Sequence, residues 1–503
     1  MRALCEPSGL GCSVKWVVLG DIGWGDFYHL GDEAMTEVAI EQLSRRGASQ
    51  ITLVSAEVTT AEKLYGCPAV HRIGFHRNWG RQRCLERLRE LDNDLRREPE
   101  AGTVHQAIRE ADAVLIAGGG NLNSTYFAHL YERVAFARIA RHHGTPLFVT
   151  SQTVGPALRE EDRLLLAEIA DTAVAFGARE SRTAELMRSI GGQPSKVVHT
   201  LDDAILMRPL PEHHQAVAQL CAEIGIELGS NGGPILASFT ADTGASGLAP
   251  AEYSARVGEL LDVLAETHET QVVLVPHSGA LGGHNELTDQ SLNRDLELRS
   301  RTGRLKTLSR MLTAREQTAL MSAARFSVSS RYHPLVFGSQ QGIPVIGIAL
   351  SSYSTLRMRG ALAHVGLEAW VVPSTLWDLA DSACSEALDR AEEVRAHLAR
   401  IAPVNLEYQL RWWDAIVHAA ATGEWLGLED VSPVPDLSPD GAWSIAVEAV
   451  TPTYEMWGEE RELRARAEEE LRELDDWRQR ALRAENRKIA RLADRVARVV
   501  RPR

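Results

Sequence analysis

Short apolar runs alternate with longer amphipathic stretches through the first two hundred residues of the chain. The run Lys15–Leu19 (KWVVL) precedes a segment in which Met35, Val38 and Leu43 share one helical face. Further apolar runs that predict buried strands lie at 51–54, 111–117, 146–150, 172–176 and 197–198. Strands that alternate with helices in this way predict a parallel, doubly wound α/β sheet.

The same alternation restarts after a break rich in glycine and asparagine, GSNGGP at 229–234. Predicted strands at 235–239, 271–275, 326–329 and 370–372 are separated by predicted helices at 252–266, 313–324 and 353–364. Two successive α/β units of similar size predict two Rossmann-like domains that face a cleft. We expect the first domain at 1–208, a junction at 209–233, the second domain at 234–422 and a Pro/Ser/Asp-rich linker at 423–452.

Residues 453–503 have the composition of one long helix, rich in Glu, Arg, Ala and Leu. Apolar residues recur there at steps of three and four with one gap, which predicts a narrow coiled-coil seam. The seam contains Leu463, Ala467, Leu471, Leu474, Trp477, Ala481, Ile489, Leu492, Val496 and Val499. The end is basic through Arg487, Lys488, Arg491, Arg495, Arg498, Arg501 and Arg503. We expect a homo-oligomer through the seam, with the basic end free to touch an anionic membrane surface. The alternative is a solvated helix that leans on its own domain.

Composition narrows the class of protein. The chain has 503 residues and a formal net charge of −14, which argues against nucleic acid as the main partner. Its six cysteines are scattered without a CxxC pair, which favours reduced thiols in a cytoplasm over a disulfide frame or a zinc site. Residues 1–15 lack the pattern of a signal peptide, and no run of 18 apolar residues occurs. We therefore expect a cytoplasmic protein whose membrane contact, if any, is peripheral.

The stretch FSVSSRYHPLVFGSQQGIPVIGI at 326–348 carries the first candidate chemistry. Arg331, Tyr332 and His333 fall between the carboxyl end of a predicted strand and the amino end of a predicted helix. Ligands of open α/β sheets bind at that position, where the helix dipole and free N–H groups favour an anion. The pattern indicates phosphate or carboxylate recognition with a proton donor alongside. The alternative is that Arg331 caps a neighbouring helix and His333 is only a helix-terminal residue.

Other polar or glycine-rich segments follow strand ends in the first domain. Gly118, Gly119 and Gly120 precede Asn121, and three successive glycines let a backbone turn sharply or approach a ligand closely. The other polar residues that follow strands are Gln152 in SQTVGP and Arg179 in ARES. We expect these residues to line the cleft, because the carboxyl ends of parallel strands share one edge of a sheet.

For two acidic residues and one histidine, the sequence gives weaker evidence of a place in the cleft. Asp32 and Glu33 open the first long helix, where they act either as favourable capping charges or as carboxylates of a cleft. His277 follows a predicted strand but has no second histidine at metal-ligand spacing. It is better interpreted as a residue that lines the cleft, and no metal site is predicted.

The order of the motifs GDEA, AGGGN, SQTVGP, ARES, VPH and SRYHPLVFGSQQGIPVIGI resembles the polysaccharide pyruvyl transferase family over roughly residues 15–370. The resemblance implies a fold similar to the two-domain glycosyltransferase-B arrangement. It also implies transfer of pyruvate from phosphoenolpyruvate onto sugar hydroxyls, usually with closure of a cyclic ketal. Arg331 and His333 match the family's Arg-Leu-His motif with Tyr332 in place of leucine. Arg179 matches its R-[DE]-S motif.

Further positions match the family with changes. Asp32 and Glu33 match its N-x-G-D-E motif, in which His29 stands for asparagine. Arg357 stands where a lysine is usual. These departures leave the acceptor undefined.

The resemblance implies roles that suit the chemistry. Phosphoenolpyruvate carries a phosphate and a carboxylate, and we expect Arg179 and Arg331 to face one another across the cleft and hold it. His333 is the expected proton donor to the enol methylene, because its ordinary pKa lies near neutrality. Asp32 is the expected base or holder of the sugar hydroxyl. No cofactor or metal is needed beyond the phosphoenolpyruvate donor.

Two alternative functions fit the same sequence. A nucleotide-sugar glycosyltransferase would share the fold, because a fold does not fix a function. A non-catalytic member of the family would serve as a binding subunit. The acceptor is expected to be a sugar or glycan, with a lipid-linked glycan among the candidates.

Overall fold

A computed structural model describes residues 14–500, apart from 25–26, 77, 157, 227, 230–231, 244–246 and 284–287. In the last helix, side chains are described up to Gly458 and then at scattered positions up to Glu485. The cysteines Cys67, Cys84, Cys221 and Cys384 are free thiols, and Cys5 and Cys12 lie outside the described residues.

The first domain is a parallel sheet in the strand order β4-β3-β1-β5-β7-β8-β9, with β6 paired to β7. The strands of the first domain are β1 (Lys15–Leu19), β2 (Tyr28–His29), β3 (Gln50–Ser55), β4 (Ala69–His71), β5 (Ala113–Ile116), β6 (Gly119–Leu122), β7 (Leu147–Val154), β8 (Ala173–Ala178) and β9 (Val197–His199). Strand β2 is not part of this sheet. The helices are α1 (Leu30–Arg45), α2 (Val58–Tyr65), α3 (Arg81–Asp94), α4 (Val104–Arg109), α5 (Phe127–His143), α6 (Glu160–Thr172) and α7 (Ser181–Ile190). Helix α8 (Pro211–Glu223) follows in the predicted 209–233 junction and packs on the helix Ala314–Ser322 of the second domain. Strands such as β5 are apolar throughout, because helices cover both faces of the sheet.

The second domain repeats this plan with the parallel order β13-β11-β10-β14-β15-β16. The strands of this half are β10 (Ile235–Ser238), β11 (Val272–Leu274), β12 (Ser278–Gly279), β13 (Leu305–Thr307), β14 (Phe326–Ser329), β15 (Val345–Ala349) and β16 (Val371–Pro373). The helices are α9 (Pro250–Thr267), α10 (Asp289–Arg299), α11 (Ala314–Ser322), α12 (His333–Gln340), α13 (Ser352–Ala363), α14 (Ala380–Asp389), α15 (Ala391–Thr422) and α16 (Ala442–Val500). The prediction of two doubly wound α/β domains is confirmed. The edge strand β13 was not predicted, since three residues carry little pattern.

Contacts across the cleft hold the domains together. Strand β2 of the first domain pairs antiparallel with β12 of the second domain, and the N–H of Leu30 donates to the carbonyl of His277 (3.0 Å). Arg315 of α11 forms ion pairs with Glu37 (2.5 Å) and Glu41 (2.6 Å), which lie on the following turns of α1. The start of α1 is therefore fixed against the second domain.

Helix α15 crosses from the second domain to the first. The indole N–H of Trp412 donates to Thr150 (2.9 Å), and that of Trp413 donates to Asp203 (2.8 Å). Both tryptophans are buried in the core of the first domain. The predicted second domain, 234–422, therefore ends in a helix whose second half packs on the first domain.

The last helix begins earlier than its composition predicts. Helix α16 starts at Ala442, inside the predicted 423–452 linker, of which 423–440 contains no helix or strand. The reason is packing, since Trp443 is buried against Trp370 with 6.1 Å between ring centroids. No helix among the described residues is long and apolar enough to cross a membrane.

The described side chains of the predicted seam are exposed. Leu471 and Leu474 are 66% and 61% exposed, and Ala467 is exposed too. The seam side chains outside the described residues are Leu463, Trp477, Ala481, Ile489, Leu492, Val496 and Val499. The basic side chains of 487–503 also lie outside them.

Candidate active site between the two domains

Arg179 is a buried cation of the cleft that is hydrogen-bonded to several first-domain residues. It follows β8 and is buried, with its Nε–H donating to Thr153 Oγ1 (2.8 Å) and to Glu180 Oε1 (3.1 Å). One terminal nitrogen donates to Asp202 Oδ2 (2.7 Å). The guanidinium carbon lies 4.3 Å from the ring centroid of Tyr332, so the second domain covers one face of this arginine.

Helix α13 presents one face to the first domain. Tyr353, Arg357, Gly360 and His364 follow at steps of four, three and four, which places them on one side of the helix. Gly360 lies against the side chain of Glu180, and His364 Nε2 is 2.8 Å from the carbonyl oxygen of Arg179. This contact brings Arg357 into the cleft.

Two guanidinium groups converge on Gly120. A Cβ added there would lie 3.2 Å from Arg179 Nη2, 3.2 Å from Arg357 Nη1 and 2.5 Å from Tyr353 Oη, which already donates to the carbonyl of Gly120. Glycine is therefore required at this point because any side chain would fill the space between the arginines. Gly118 has a different role, since a Cβ there would meet Met35 Sδ at 2.5 Å, and Gly119 has room for one.

Of the two arginines Arg179 and Arg357, Arg357 is the one whose charge no described carboxylate neutralises. It stacks on Tyr353 (4.0 Å to the ring centroid), its Nε is buried without a hydrogen-bond partner, and no described carboxylate lies within ion-pair distance. Burial raises the pKa of the neighbouring Glu180 carboxyl, although Arg179 opposes this shift. Positive charge therefore exceeds negative charge around Gly120, which suits an anion.

Several buried polar atoms at this point have no partner among the described residues. They are the Tyr332 hydroxyl, Gln152 Oε1 and Asn121 Oδ1. Burial holds the pKa of the Tyr332 phenol well above its usual value of 10, so it stays a neutral O–H donor. Gln152 uses its amide N–H to bond the carbonyl of Ala117 (2.5 Å), and strand β7 runs to Val154, past its predicted end at 150, because it continues to pair with β6 and β8. Unpaired buried polar groups are costly, and a ligand that pairs with them would gain affinity.

The partner of Arg331 differs from the sequence prediction, in which Arg331 faces Arg179 across the cleft. Its guanidinium forms a bidentate pair with buried Asp289 (3.0 and 2.5 Å) and donates to Ser278 Oγ (2.9 Å). Burial tends to raise the pKa of Asp289, but Arg331 and backbone donors outweigh burial and hold the pKa below its usual range. The group that meets Arg179 is Arg357, and Arg331 is already neutralised by a partner in α10.

The pKa of His333 also differs from the sequence prediction. Its ring packs on Gly31, where a Cβ would overlap the imidazole, and its Nε2 lies 3.7 Å from Asp202 Oδ2. Burial, with a contribution from Arg179, lowers the pKa of His333 well below 6.5. The imidazole is therefore neutral at neutral pH, whereas the sequence prediction assumed a pKa near neutrality.

Asp32 lies on the first-domain side of the cleft, and His277 lies on the second-domain side. Asp32 Oδ2 is 2.7 Å from His29 Nδ1, and its charge favours protonation of the nearby His333. His277 is buried, and burial lowers its pKa well below 6.5. Its carbonyl accepts a hydrogen bond from the N–H of Leu30 in the first domain (3.0 Å).

Glu33 points away from the arginines. It is buried, accepts hydrogen bonds from the N–H of Gly23 (3.1 Å) and the hydroxyl of Tyr65, and lines a cavity of about 610 Å³ between the domains. Burial raises the pKa of its carboxyl to about 8, so Glu33 is largely protonated at neutral pH. The residues that sequence reasoning left out of the site are Asp202, Asp289, Tyr353 and Arg357. Of these, Arg357 and Tyr353 had a signal in their four-residue spacing on a predicted helix.

The fold is shared with solved structures of low sequence identity. A Listeria monocytogenes protein described as a UDP-N-acetylglucosamine 2-epimerase superposes with a TM-score of 0.55 at 12% identity, covering 84% of this chain and all of that chain. The UDP-N-acetylglucosamine 2-epimerase of Neisseria meningitidis gives 0.51 at 13% identity, covering 81% and 99%. These similarities show the two-domain, glycosyltransferase-B-like fold alone.

Sequence comparison defines the family. No curated protein gives a significant match to this chain. The sequence model of polysaccharide pyruvyl transferases matches residues 29–352, well over half of the chain, from the last residue of β2 through the first residue of α13. The chain therefore belongs to the polysaccharide pyruvyl transferase family.

Proposed function

We propose that this protein transfers pyruvate from phosphoenolpyruvate to hydroxyls of a sugar or glycan acceptor. The observation that carries the proposal is the pair of guanidinium nitrogens, from Arg179 and Arg357, each 3.2 Å from one point over Gly120. A donor with a phosphate and a carboxylate matches two arginines from opposite domains. Arg357 stacks on Tyr353 and has no ion pair with a described carboxylate, so it supplies positive charge for an anion.

The reaction needs a proton at C3 of the enol and the loss of a proton from each attacking hydroxyl. Protonation at C3 makes C2 electrophilic, the first hydroxyl oxygen bonds to C2, and its proton passes to a base. Loss of phosphate and attack by a second hydroxyl, which also releases a proton, close the ketal.

We assign these proton transfers to His333 and Asp32. A dianion bound beside Arg179 raises the pKa of the neutral His333, which then carries the proton that the enol receives. Asp32, at the start of α1 and paired with His29, is the candidate base.

The tail supports a second proposal about assembly. We propose that the part of α16 that carries the predicted seam, 463–499, associates with the same helix of a second copy. The described positions Leu471 and Leu474 are exposed and three residues apart, as a coiled-coil seam requires. The basic sequence at 487–503 would then lie beside an anionic membrane surface that presents a lipid-linked acceptor.

Calorimetric titration with phosphoenolpyruvate tests the donor assignment. Arg357→Ala should weaken binding by on the order of 10²-fold, because it removes a charge-assisted contact in a half-buried site. Arg359→Ala is the matched control on the same helix, since Arg359 pairs with Glu368 (2.7 Å) on the surface, and it should bind normally.

Other ligands separate the alternatives. Binding of UDP-hexose in place of phosphoenolpyruvate would favour a nucleotide-sugar glycosyltransferase. Binding of neither donor would favour a non-catalytic member. Unchanged phosphoenolpyruvate affinity in Arg357→Ala would refute the assignment of this site.

A further inference from the structure

The cavity beside Glu33 is separate from the arginine pair. It measures about 610 Å³, within the usual range of about 300–1,000 Å³ for small-molecule sites. One wall comes from the first domain, with Trp24, Phe27 and residues of α2. The opposite wall comes from Ala280–Gly283 of the second domain. A site built from both domains is a normal place for a substrate in this architecture.

The walls combine aromatic rings with hydroxyl groups. Trp24 is 38% exposed and is fixed in place, because its indole N–H donates to Asp21 (3.0 Å) and Arg72 stacks 4.9 Å from its ring centroid. Thr59 and Thr60 line the facing part of α2. An immobilised aromatic ring with nearby hydroxyls suits a pyranose ring, whose C–H face packs on the aromatic ring while its hydroxyls hydrogen-bond.

The charge of the cavity differs from that of the arginine pair. Glu33 is its buried acid, and because burial raises its pKa to about 8, its carboxyl carries little charge at neutral pH. Among the described residues that line the cavity, the one cation is Lys63, whose side chain is exposed. Such walls favour an uncharged ligand with many hydroxyls over a small dianion.

The first turn of α1 connects the cavity to the proposed reaction centre. Glu33 lines the cavity, the preceding Asp32 faces His29, and Gly31 contacts the ring of His333. A ligand in the cavity is therefore one helical turn from the groups proposed to move protons.

We infer that this cavity binds the glycosyl unit of the acceptor, packed on Trp24 with its hydroxyls directed to the first turn of α1. The role as an acceptor site rests on the proposed pyruvyl transfer, whereas sugar binding by the cavity does not. Gly283 provides a way to close the cavity, since a Cβ there meets no described atom within 4 Å and its φ is not in the left-handed region.

Saturation-transfer difference NMR on the full chain, without phosphoenolpyruvate, tests the inference. The ligands are methyl β-galactopyranoside, methyl α-mannopyranoside and the methyl β-glycoside of N-acetylglucosamine. At least one should receive saturation from the wild type, Gly283→Trp should abolish its signal, and Trp24→Ala should reduce it roughly fivefold. Leu298→Trp, at a side chain that is 85% exposed on α10, is the control for an added indole and should leave the signal unchanged.

The outcomes separate the sugar site from the donor assignment. Loss of glycoside binding in Gly283→Trp with normal phosphoenolpyruvate affinity would support the inference. A wild type that binds a glycoside but no phosphoenolpyruvate would support the sugar site and refute the proposed donor. The inference is overturned if no glycoside of the three binds the wild type, or if the signal survives in Gly283→Trp.

Discussion

Glu33 gives a prediction whose magnitude follows from its burial. Glu33 is 1% exposed, and burial raises the pKa of its carboxyl from 4.5 to about 8, although Tyr65 and the N–H of Gly23 oppose this shift. At about 1.4 kcal/mol per pH unit, the difference amounts to about 5 kcal/mol between the folded and unfolded states. About 5 kcal/mol is a large fraction of the usual net stability of a domain, which is about 5–15 kcal/mol.

The sign is fixed by which state binds the proton more tightly. Folded Glu33 keeps its proton up to about pH 8, whereas in the unfolded chain it loses the proton near pH 4.5. Its contribution to stability is therefore fully present below about pH 4.5 and is lost as the pH rises to about 8, above which the dependence levels off. Glu33→Gln retains the shape of the side chain but has no proton to lose.

The assay is the thermal unfolding midpoint of the full chain at half-unit steps from pH 5 to pH 8.5. The difference between Glu33→Gln and wild type should grow in favour of the variant across this range, while groups common to both cancel. Glu185→Gln, at an exposed position on α7, is the control and should follow the wild type. Parallel curves for Glu33→Gln and wild type would show that Glu33 is ionised in the folded protein and would refute the reasoning.

Two further predictions concern the proton donor and the tail. His333→Asn should lower pyruvyl transfer by on the order of 10²–10⁴-fold while phosphoenolpyruvate affinity in calorimetry falls little, and wild-type turnover would exclude the role. Truncation after residue 460 keeps the buried start of α16, so it should lower the oligomeric mass in light scattering and leave donor binding intact. An unchanged mass would show that the seam does not mediate self-association.

The sequence predicts best where the signal is local. Strands β1 and β14 have the predicted bounds, because each is a short apolar run with a polar segment after it. Gly120 and Arg179 lie in the cleft, as expected from the shared edge at the carboxyl ends of parallel strands.

The pairing of charged groups could not be predicted in the same way. Arg331 meets Asp289, which is 42 residues earlier in the chain and has no local pattern that links it to the RYH segment. Sequence periodicity predicts a helix at 353–364 but does not tell which face of that helix meets the first domain, so Arg357 was seen only as a change in a motif. The pKa of His333 likewise depends on burial that only the packed structure supplies.

The two candidate ligand sites follow from how the domains are joined. The arginine pair exists only because α13 of the second domain is held to the first, through His364 on the carbonyl of Arg179 and Tyr353 on that of Gly120. The cavity beside Glu33 exists because β2 pairs with β12 and so positions Ala280–Gly283 opposite α1 and α2. Both sets of contacts would be lost together if the domains swung apart, since each spans the cleft. A donor dianion that bridges Arg179 and Arg357 adds a further link between the domains, so its binding would also stabilise the closed cavity in which we place the acceptor.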